Sequence, residues 1–174
     1  MSSDDTQFFA AAPLSMSVKV VSGLGSIVIL GVAMMLVGMS VLGIAKAQMP
    51  VQGFLLWVSI FLVVGWFFAL LSIVRSYTLV DGMIAVHRVF WSNRFYLGTG
   101  RTAFQKKMPR SWRLFGNGGL FSVSGCFWNR EAGHYRAFIT DPSRIVWVNT
   151  GERMIAISPE DPEAFMAAFN GAET

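Results

Sequence analysis

Two long apolar runs dominate the first part of the chain. Residues 20–45 and 51–74 contain no charged side chain, and a short connector with Lys46 and Pro50 separates them. As a helix rising about 1.5 Å per residue, either run is long enough to cross a hydrocarbon layer of about 30 Å. The pattern therefore predicts a hairpin of two transmembrane helices.

Small residues recur along both predicted helices. Because small side chains let helix backbones approach closely in a membrane, we expect these two faces to pack against each other. The alternative is that one face meets a second copy of the chain in a homo-oligomer. The residues concerned are Gly31, Gly38, Gly65, Ala69 and Ser72. No ionisable residue lies within either run, which argues against an ion pathway through the hairpin.

After Ser76 the pattern changes to the alternation of polar and apolar positions that is typical of strands. Turn residues such as Asp81-Gly82 separate the strands. An acidic, proline-bearing segment starting at Ser158 then predicts a final helix, whose apolar face carries Phe165, Met166 and Phe169. The sequence predicts about seven antiparallel strands and one C-terminal helix. The strands are expected at residues 77–80, 83–90, 94–97, 123–128, 133–140, 144–149 and 153–157.

These patterns divide the chain into four parts. We expect an N-terminal tail (1–17), a transmembrane hairpin (18–75), a mainly-β domain (76–170) and a C-terminal tail (171–174). The N-terminal tail lacks the basic start of a secretory signal. Its Phe8, Phe9 and Leu14 favour a segment at the bilayer interface, and disorder is the equal alternative.

The distribution of charge suggests an orientation and a class of partner. Residues 75–174 contain twelve Lys or Arg and eight Asp or Glu, whereas the connector of the hairpin offers only Lys46. Since positive charge favours the cytoplasmic side, both termini and the β domain are predicted to be cytoplasmic. The modest basic excess fits membrane lipids or an acidic protein partner, and a denser basic face would be expected for nucleic acid.

One basic segment, residues 101–113, contains no acidic residue and is interleaved with apolar side chains. Such a mixture suits contact with anionic headgroups, and a solvated loop is the equal alternative. The candidate residues for binding a lipid or a partner are Lys106, Lys107, Arg110, Trp112 and Arg113.

Residues that could carry catalysis are few. Cys126 and His134 could face each other across a hairpin, but no third orienting group accompanies them. Two histidines and one cysteine give no recognised spacing for a metal site. Gly116-Asn117-Gly118-Gly119 lacks the Lys-Ser/Thr of a P-loop and predicts a turn or a bulge, with phosphate binding by its backbone as the minor alternative. We therefore predict no enzyme activity, no cofactor and no metal.

The order of elements resembles the pleckstrin-homology (PH) fold. It is similar to the bacterial PH-like domain of membrane proteins with two N-terminal transmembrane helices. The segments that carry the resemblance are Tyr77–Val80 with Asp81-Gly82, Arg113–Gly119 leading to Gly125 and Phe127, and Ile157–Phe165.

The resemblance implies a PH-like barrel in a multi-pass protein of the bacterial cytoplasmic (inner) membrane. It also implies a non-enzymatic interaction or scaffold role on a membrane-protein complex, with anionic lipid binding through residues 101–113 as the alternative. One departure concerns Asp81-Gly82: PH domains that bind phosphoinositides usually carry Lys and Arg at this loop.

Overall fold

The structure is a computed structural model that describes residues 6–41, 49–80, 82–118 and 120–171. The connector of the hairpin, Asp81 and Gly119 lie outside these ranges.

Met16–Val41 forms helix α1 and Met49–Leu71 forms helix α2. Both are long and apolar enough to cross a membrane. In the most apolar 18-residue stretch of each helix, only 11% and 6% of the residues are buried. They are therefore not the buried core helices of a globular fold, and the two predicted apolar helices are confirmed.

The two helices meet through hydrogen bonds of polar residues that lie fourteen positions apart on each helix. Ser40 donates from Oγ to the Gln52 carbonyl (3.0 Å), and Trp66 donates from Nε1 to Ser26 Oγ (2.9 Å). A methyl group added at Gly31, Gly38 or Gly65 would meet no atom of another described residue within 4 Å. The role of these glycines in helix packing therefore stays a prediction. Their open faces leave contact with a second copy as a prediction.

The described residues form ten strands in two sheets; one strand precedes the two helices and nine follow them. The strands are Gln7–Ala10 (β1), Val74–Val80 (β2), Met83–Arg88 (β3), Ser92–Tyr96 (β4), Thr102–Gln105 (β5), Trp112–Gly118 (β6), Val123–Asn129 (β7), Gly133–Ile139 (β8), Val146–Asn149 (β9) and Met154–Ile157 (β10). The four-stranded sheet has the order β1-β2-β3-β4, and the six-stranded sheet has the order β5-β9-β10-β8-β7-β6. The mainly-β fold with a C-terminal helix is confirmed, but the sheets do not close into a barrel.

Three of these strands lie where no strand was predicted. β1 pairs antiparallel with β2, so the segment expected at the bilayer interface or disordered instead extends the first sheet. β5 lies within the basic segment 101–113, and β6 begins at the end of that segment. One pairing also differs from the antiparallel expectation, because β10 runs parallel to β8.

The main core lies between the two sheets and is covered by helix α3, Pro162–Gly171. Asp161 caps this helix by accepting hydrogen bonds at Oδ1 from the backbone N–H groups of Glu163 and Ala164 (3.1 and 3.0 Å). Phe165 and Phe169 of α3 are fully or almost fully buried in this core. A smaller apolar cluster around Trp147 and Tyr135 lies against the six-stranded sheet.

Candidate functional site

The turn between β6 and β7 rests directly on the helical hairpin. The backbone N–H of Phe121 donates to Ser22 Oγ of α1 (2.7 Å), and the Phe121 ring meets Trp66 of α2 edge-on at 6.4 Å. Phe121 has a positive φ of 64°, which is uncommon for a residue with a side chain. Leu120 packs beside Gly25 so closely that an added methyl group there would lie 2.8 Å from Leu120 Cδ1.

A second contact joins the other sheet to the same hairpin. Trp91, which follows β3, stacks on Phe68 of α2 with ring centroids 5.3 Å apart. Both sheets therefore touch the hairpin, one through Phe121 and one through Trp91. Two separate contacts fix the orientation of the β domain relative to the helices more firmly than either would alone.

Strand β6 leads away from this junction with an exposed apolar surface. Trp112 and Phe115 are 75% and 81% exposed, and Leu114 is also exposed. The register of β6 on β7 shifts between Arg113 and Phe115, as in a β-bulge. Such a bulge changes which residues of the strand point outward.

Glycines allow β6 and β7 to approach closely just beyond the bulge. Gly116 lies opposite Gly125, and both have positive φ (116° and 149°). A Cβ at Gly116 would collide with the backbone of Ser124 and Gly125. The glycine-rich segment therefore belongs largely to β6 itself, since Gly116 to Gly118 are strand residues.

The candidate basic residues lie along this strand and the segment before it. Lys106 forms an ion pair with Glu131 (Nζ to Oε2, 2.6 Å), an acid that is distant in the sequence but close in space. Lys107, Arg110 and Arg113 are exposed. Within the described ranges, no salt bridge involves any of these three.

A hydrogen-bond network around Ser111 holds the basic segment in place. Ser111 Oγ accepts from Tyr135 Oη (2.7 Å) and Asn129 Nδ2 (3.2 Å), and donates to the Pro109 carbonyl (2.9 Å). Trp147 Nε1 donates to the Lys106 carbonyl (3.0 Å). Burial is the main reason that the pKa of Tyr135 is raised, so this phenol stays protonated as a donor. The cations are thus carried by an anchored segment.

A model of the bacterial PH domain family matches residues 77–172, more than half of the chain. The chain belongs to the bacterial PH domain family. Searches among curated proteins and solved structures found no match to this chain. PH domains are generally non-enzymatic interaction modules, so the family indicates an interaction or lipid-binding role. The two apolar helices add a suggestion of membrane association.

The PH domain also brings together two arginines that are far apart in the sequence. Arg88 of β3 continues the inward-facing row of Ile84 and Val86, and Arg136 of β8 precedes the inward-facing Phe138 by two positions. Both side chains line a cavity of about 760 Å³ between the sheets and α2. The sequence contains a signal that could have identified this pair. In each strand, an arginine occupies a position where the alternation predicts an apolar residue.

The candidate catalytic residues do not form a unit in this PH domain. Cys126 lies opposite Arg136, whereas His134 lies opposite Trp128, and no hydrogen bond joins Cys126 to His134 among the described residues. His87 Nε2 instead shares a hydrogen bond with Thr78 Oγ1 (2.8 Å). The described ranges contain no group of three potential metal ligands.

Proposed function

We propose that this protein is a membrane-anchored, non-enzymatic interaction module whose PH domain contacts anionic lipid headgroups. We place it in the bacterial inner membrane, with the hairpin spanning the bilayer and both termini cytoplasmic. The observation that carries the proposal is the contact of Phe121 with Ser22 and Trp66. This contact sets the exposed apolar surface of β6 beside the ends of the apolar helices.

The length of α1 supports a position of Phe121 near the surface of the hydrocarbon layer. Its 26 residues extend about 39 Å, roughly 9 Å more than a hydrocarbon layer of about 30 Å requires. Ser22 follows Met16 by six residues, or about 9 Å along the helix axis. Ser22 then lies near the boundary between headgroups and hydrocarbon, and Phe121 lies at the same depth. Phe115 lines one cavity together with Phe61 and Gly65 of α2, so a hairpin that spans the bilayer would bring its exposed ring into contact with lipid.

The charges fit the headgroup layer just outside that boundary. Trp112 is a side chain that favours membrane interfaces. Lys107, Arg110 and Arg113 are exposed around it, and each basic residue near an anionic surface contributes about 1 kcal/mol. Three such residues would contribute about 3 kcal/mol at low salt and less at physiological salt. Lys106 contributes less to this attraction because Glu131 already neutralises it.

The test uses the full chain in nanodiscs, because β1 precedes the hairpin and a fragment starting at residue 76 would lack it. Spin labels are placed on single cysteines at Phe115, Arg110 and, as a control, Phe104 of β5, in a Cys126→Ser background. We expect the label at Phe115 to be accessible to oxygen and shielded from a water-soluble nickel chelate. The label at Phe104 should be accessible to the chelate.

Lipid composition provides the second arm of this experiment. Anionic nanodiscs should shield the Arg110 label more than neutral ones do, and replacing Lys107 and Arg113 by Gln should remove that difference. If the Phe115 label is open to the chelate in both lipids, β6 does not enter the membrane. If the Arg110 label does not respond to anionic lipid, the basic segment does not bind headgroups.

A second candidate function, a scaffold for a membrane-protein complex, is favoured by one observation at the opposite edge of the fold. A cavity of about 690 Å³ lies between the edge strand β1 and the start of α3, and includes Phe8, Gln105 and the acidic residues Glu160, Asp161 and Glu163. An edge strand beside acidic side chains fits an extended basic segment of a partner protein. A photo-crosslinking residue at Phe8 in native membranes should then give one protein adduct of defined mass that Glu160→Gln with Glu163→Gln abolishes.

A further inference from the structure

A second surface of the PH domain offers a site for a single lipid molecule. The cavity of about 760 Å³ lies where the two sheets separate beside α2. Its size falls within the range of about 300–1,000 Å³ that small-molecule sites occupy. Its wall includes Phe61, Gly65 and Phe68 of α2 and Arg88, Trp91 and Arg136 of the domain.

Two polar atoms in the wall of this cavity lack the partners that buried polar groups normally have. Arg88 Nε and Asn93 Oδ1 are buried and have no hydrogen-bond partner among the residues that the structure describes. None of the described residues lining the cavity is acidic, and no salt bridge in the described ranges involves Arg88 or Arg136. The Arg88 guanidinium lies 5.3 Å from the ring centre of Trp91 and 5.1 Å from that of Phe138. These rings offer the cation a π face but no counter-charge.

The positive charges of Arg88 and Arg136 repel each other in this cavity. Burial, and next the positive charge of Arg136, lower the pKa of Arg88 below its usual range. Partly buried charges are unfavourable unless they are paired, and unpartnered polar atoms add to that cost. An anion between the two guanidinium groups would relieve both effects. Arginine forms strong, often bidentate hydrogen bonds with phosphate, so a phosphate group suits the pair.

The apolar part of the cavity wall indicates which kind of molecule would bear the phosphate group. Phe61 and Phe68 of α2 are largely exposed on the apolar face of the helix, next to the cavity. A ligand that reaches the arginines from this side also contacts apolar side chains of a membrane helix. We propose that the cavity binds one anionic phospholipid, with its phosphate between Arg88 and Arg136 and an acyl chain along Phe61, Gly65 and Phe68.

This site shares Phe115 with the exposed surface of β6, but it includes none of the basic residues Lys107, Arg110 and Arg113. It also lies at the far end of β3 from the first hairpin turn, since Arg88 is the last residue of that strand. The inference rests on the proposed function in requiring that the hairpin spans the membrane. It does not require that Lys107, Arg110 or Arg113 bind headgroups, so the two ideas fail separately.

The experiment measures the lipid that stays bound to the full chain after extraction from nanodiscs. The nanodiscs contain phosphatidylcholine with phosphatidylglycerol as a minor component, and retained lipid is counted by native mass spectrometry. We expect one phosphatidylglycerol per chain, with a preference of at least tenfold over its share of the bilayer. Arg88→Gln and Arg136→Gln should each abolish the preference. Arg94→Gln, an exposed arginine on the neighbouring strand β4, is the matched control and should retain it.

Thermal unfolding provides a readout that does not depend on lipid surviving extraction. Added phosphatidylglycerol should raise the melting temperature of the wild-type domain and of Arg94→Gln, and leave that of Arg88→Gln unchanged. Equal stabilisation by glycerol phosphate, which has no acyl chain, would show that the site takes a free anion and overturn the lipid assignment. Retention of the preference in Arg88→Gln and Arg136→Gln together would overturn the site. Loss of the preference in a Lys107, Arg110 and Arg113 triple Gln variant alone would place binding on the basic segment instead.

Discussion

Replacing Phe165 by Ala tests whether α3 closes the core between the sheets. Phe165 is fully buried, and its ring packs against Phe9 (5.1 Å between centroids) and Phe169 (6.0 Å). Truncating a buried Phe to Ala typically costs about 3–5 kcal/mol, because it removes apolar contacts and leaves a cavity. For a domain of this size each kcal/mol lowers the melting temperature by roughly 4–8 °C. We therefore expect a decrease of at least about 12 °C.

The assay uses the full chain in detergent, with unfolding of the PH domain followed by near-ultraviolet circular dichroism. The signal should be sensitive to Trp147, which is almost completely buried in the smaller apolar cluster. Phe8→Ala is the control, because Phe8 lies on β1 close to Phe9 but is 70% exposed. Its melting temperature should change by only a few degrees, since surface substitutions usually cost less than about 0.5 kcal/mol. If Phe165→Ala and Phe8→Ala have the same melting temperature, α3 does not contribute to the core and this assignment is refuted.

Two further predictions concern pH and topology. Burial raises the pKa of Tyr77 to about 12 from its usual 10.0, so the unfolded chain loses this proton first as the pH rises. The stability that Tyr77 contributes is then complete below pH 10 and falls by about 2–3 kcal/mol between pH 10 and 12, a decline that Tyr77→Phe should flatten in denaturant titrations. For topology, a membrane-impermeant thiol reagent applied to intact cells lacking Cys126 should label a cysteine at Gln48 and not one at Thr174, two positions outside the described residues. The reverse pattern would contradict cytoplasmic termini.

The local pattern of the chain predicted most of the elements. Uncharged runs on either side of Lys46 indicated both helices, because a span of that length without charge is stable as a helix in lipid. Alternation and turn residues indicated the seven strands β2, β3, β4 and β7 to β10. The Pro-bearing acidic segment before Phe165 indicated α3, whose cap at Asp161 follows from local hydrogen bonding. In each case, the signal lies in residues adjacent along the chain.

Long-range pairing decided the rest of the fold. β1, β5 and β6 carry weak local signals and become strands because β2, β9 and β7 offer them partners. Register likewise set the contacts of the helices, where Ser26, Ser40 and Trp66 meet partners and Gly31 and Gly38 do not. Strand pairing of this kind depends on tertiary context more than on propensity, which is why the local pattern missed it.

The candidate sites also combine features set by the local sequence with features set by the tertiary structure. The sequence by itself determined that residues 101–113 are basic and interleaved with apolar side chains, since this is a property of one continuous segment. Only the tertiary structure paired Lys106 with Glu131, 25 residues away. Only the tertiary structure, too, placed Arg88 and Arg136 in one cavity beside α2. Interactions between charges depend on distance in space, and the fold alone brings residues so far apart in sequence to within that distance.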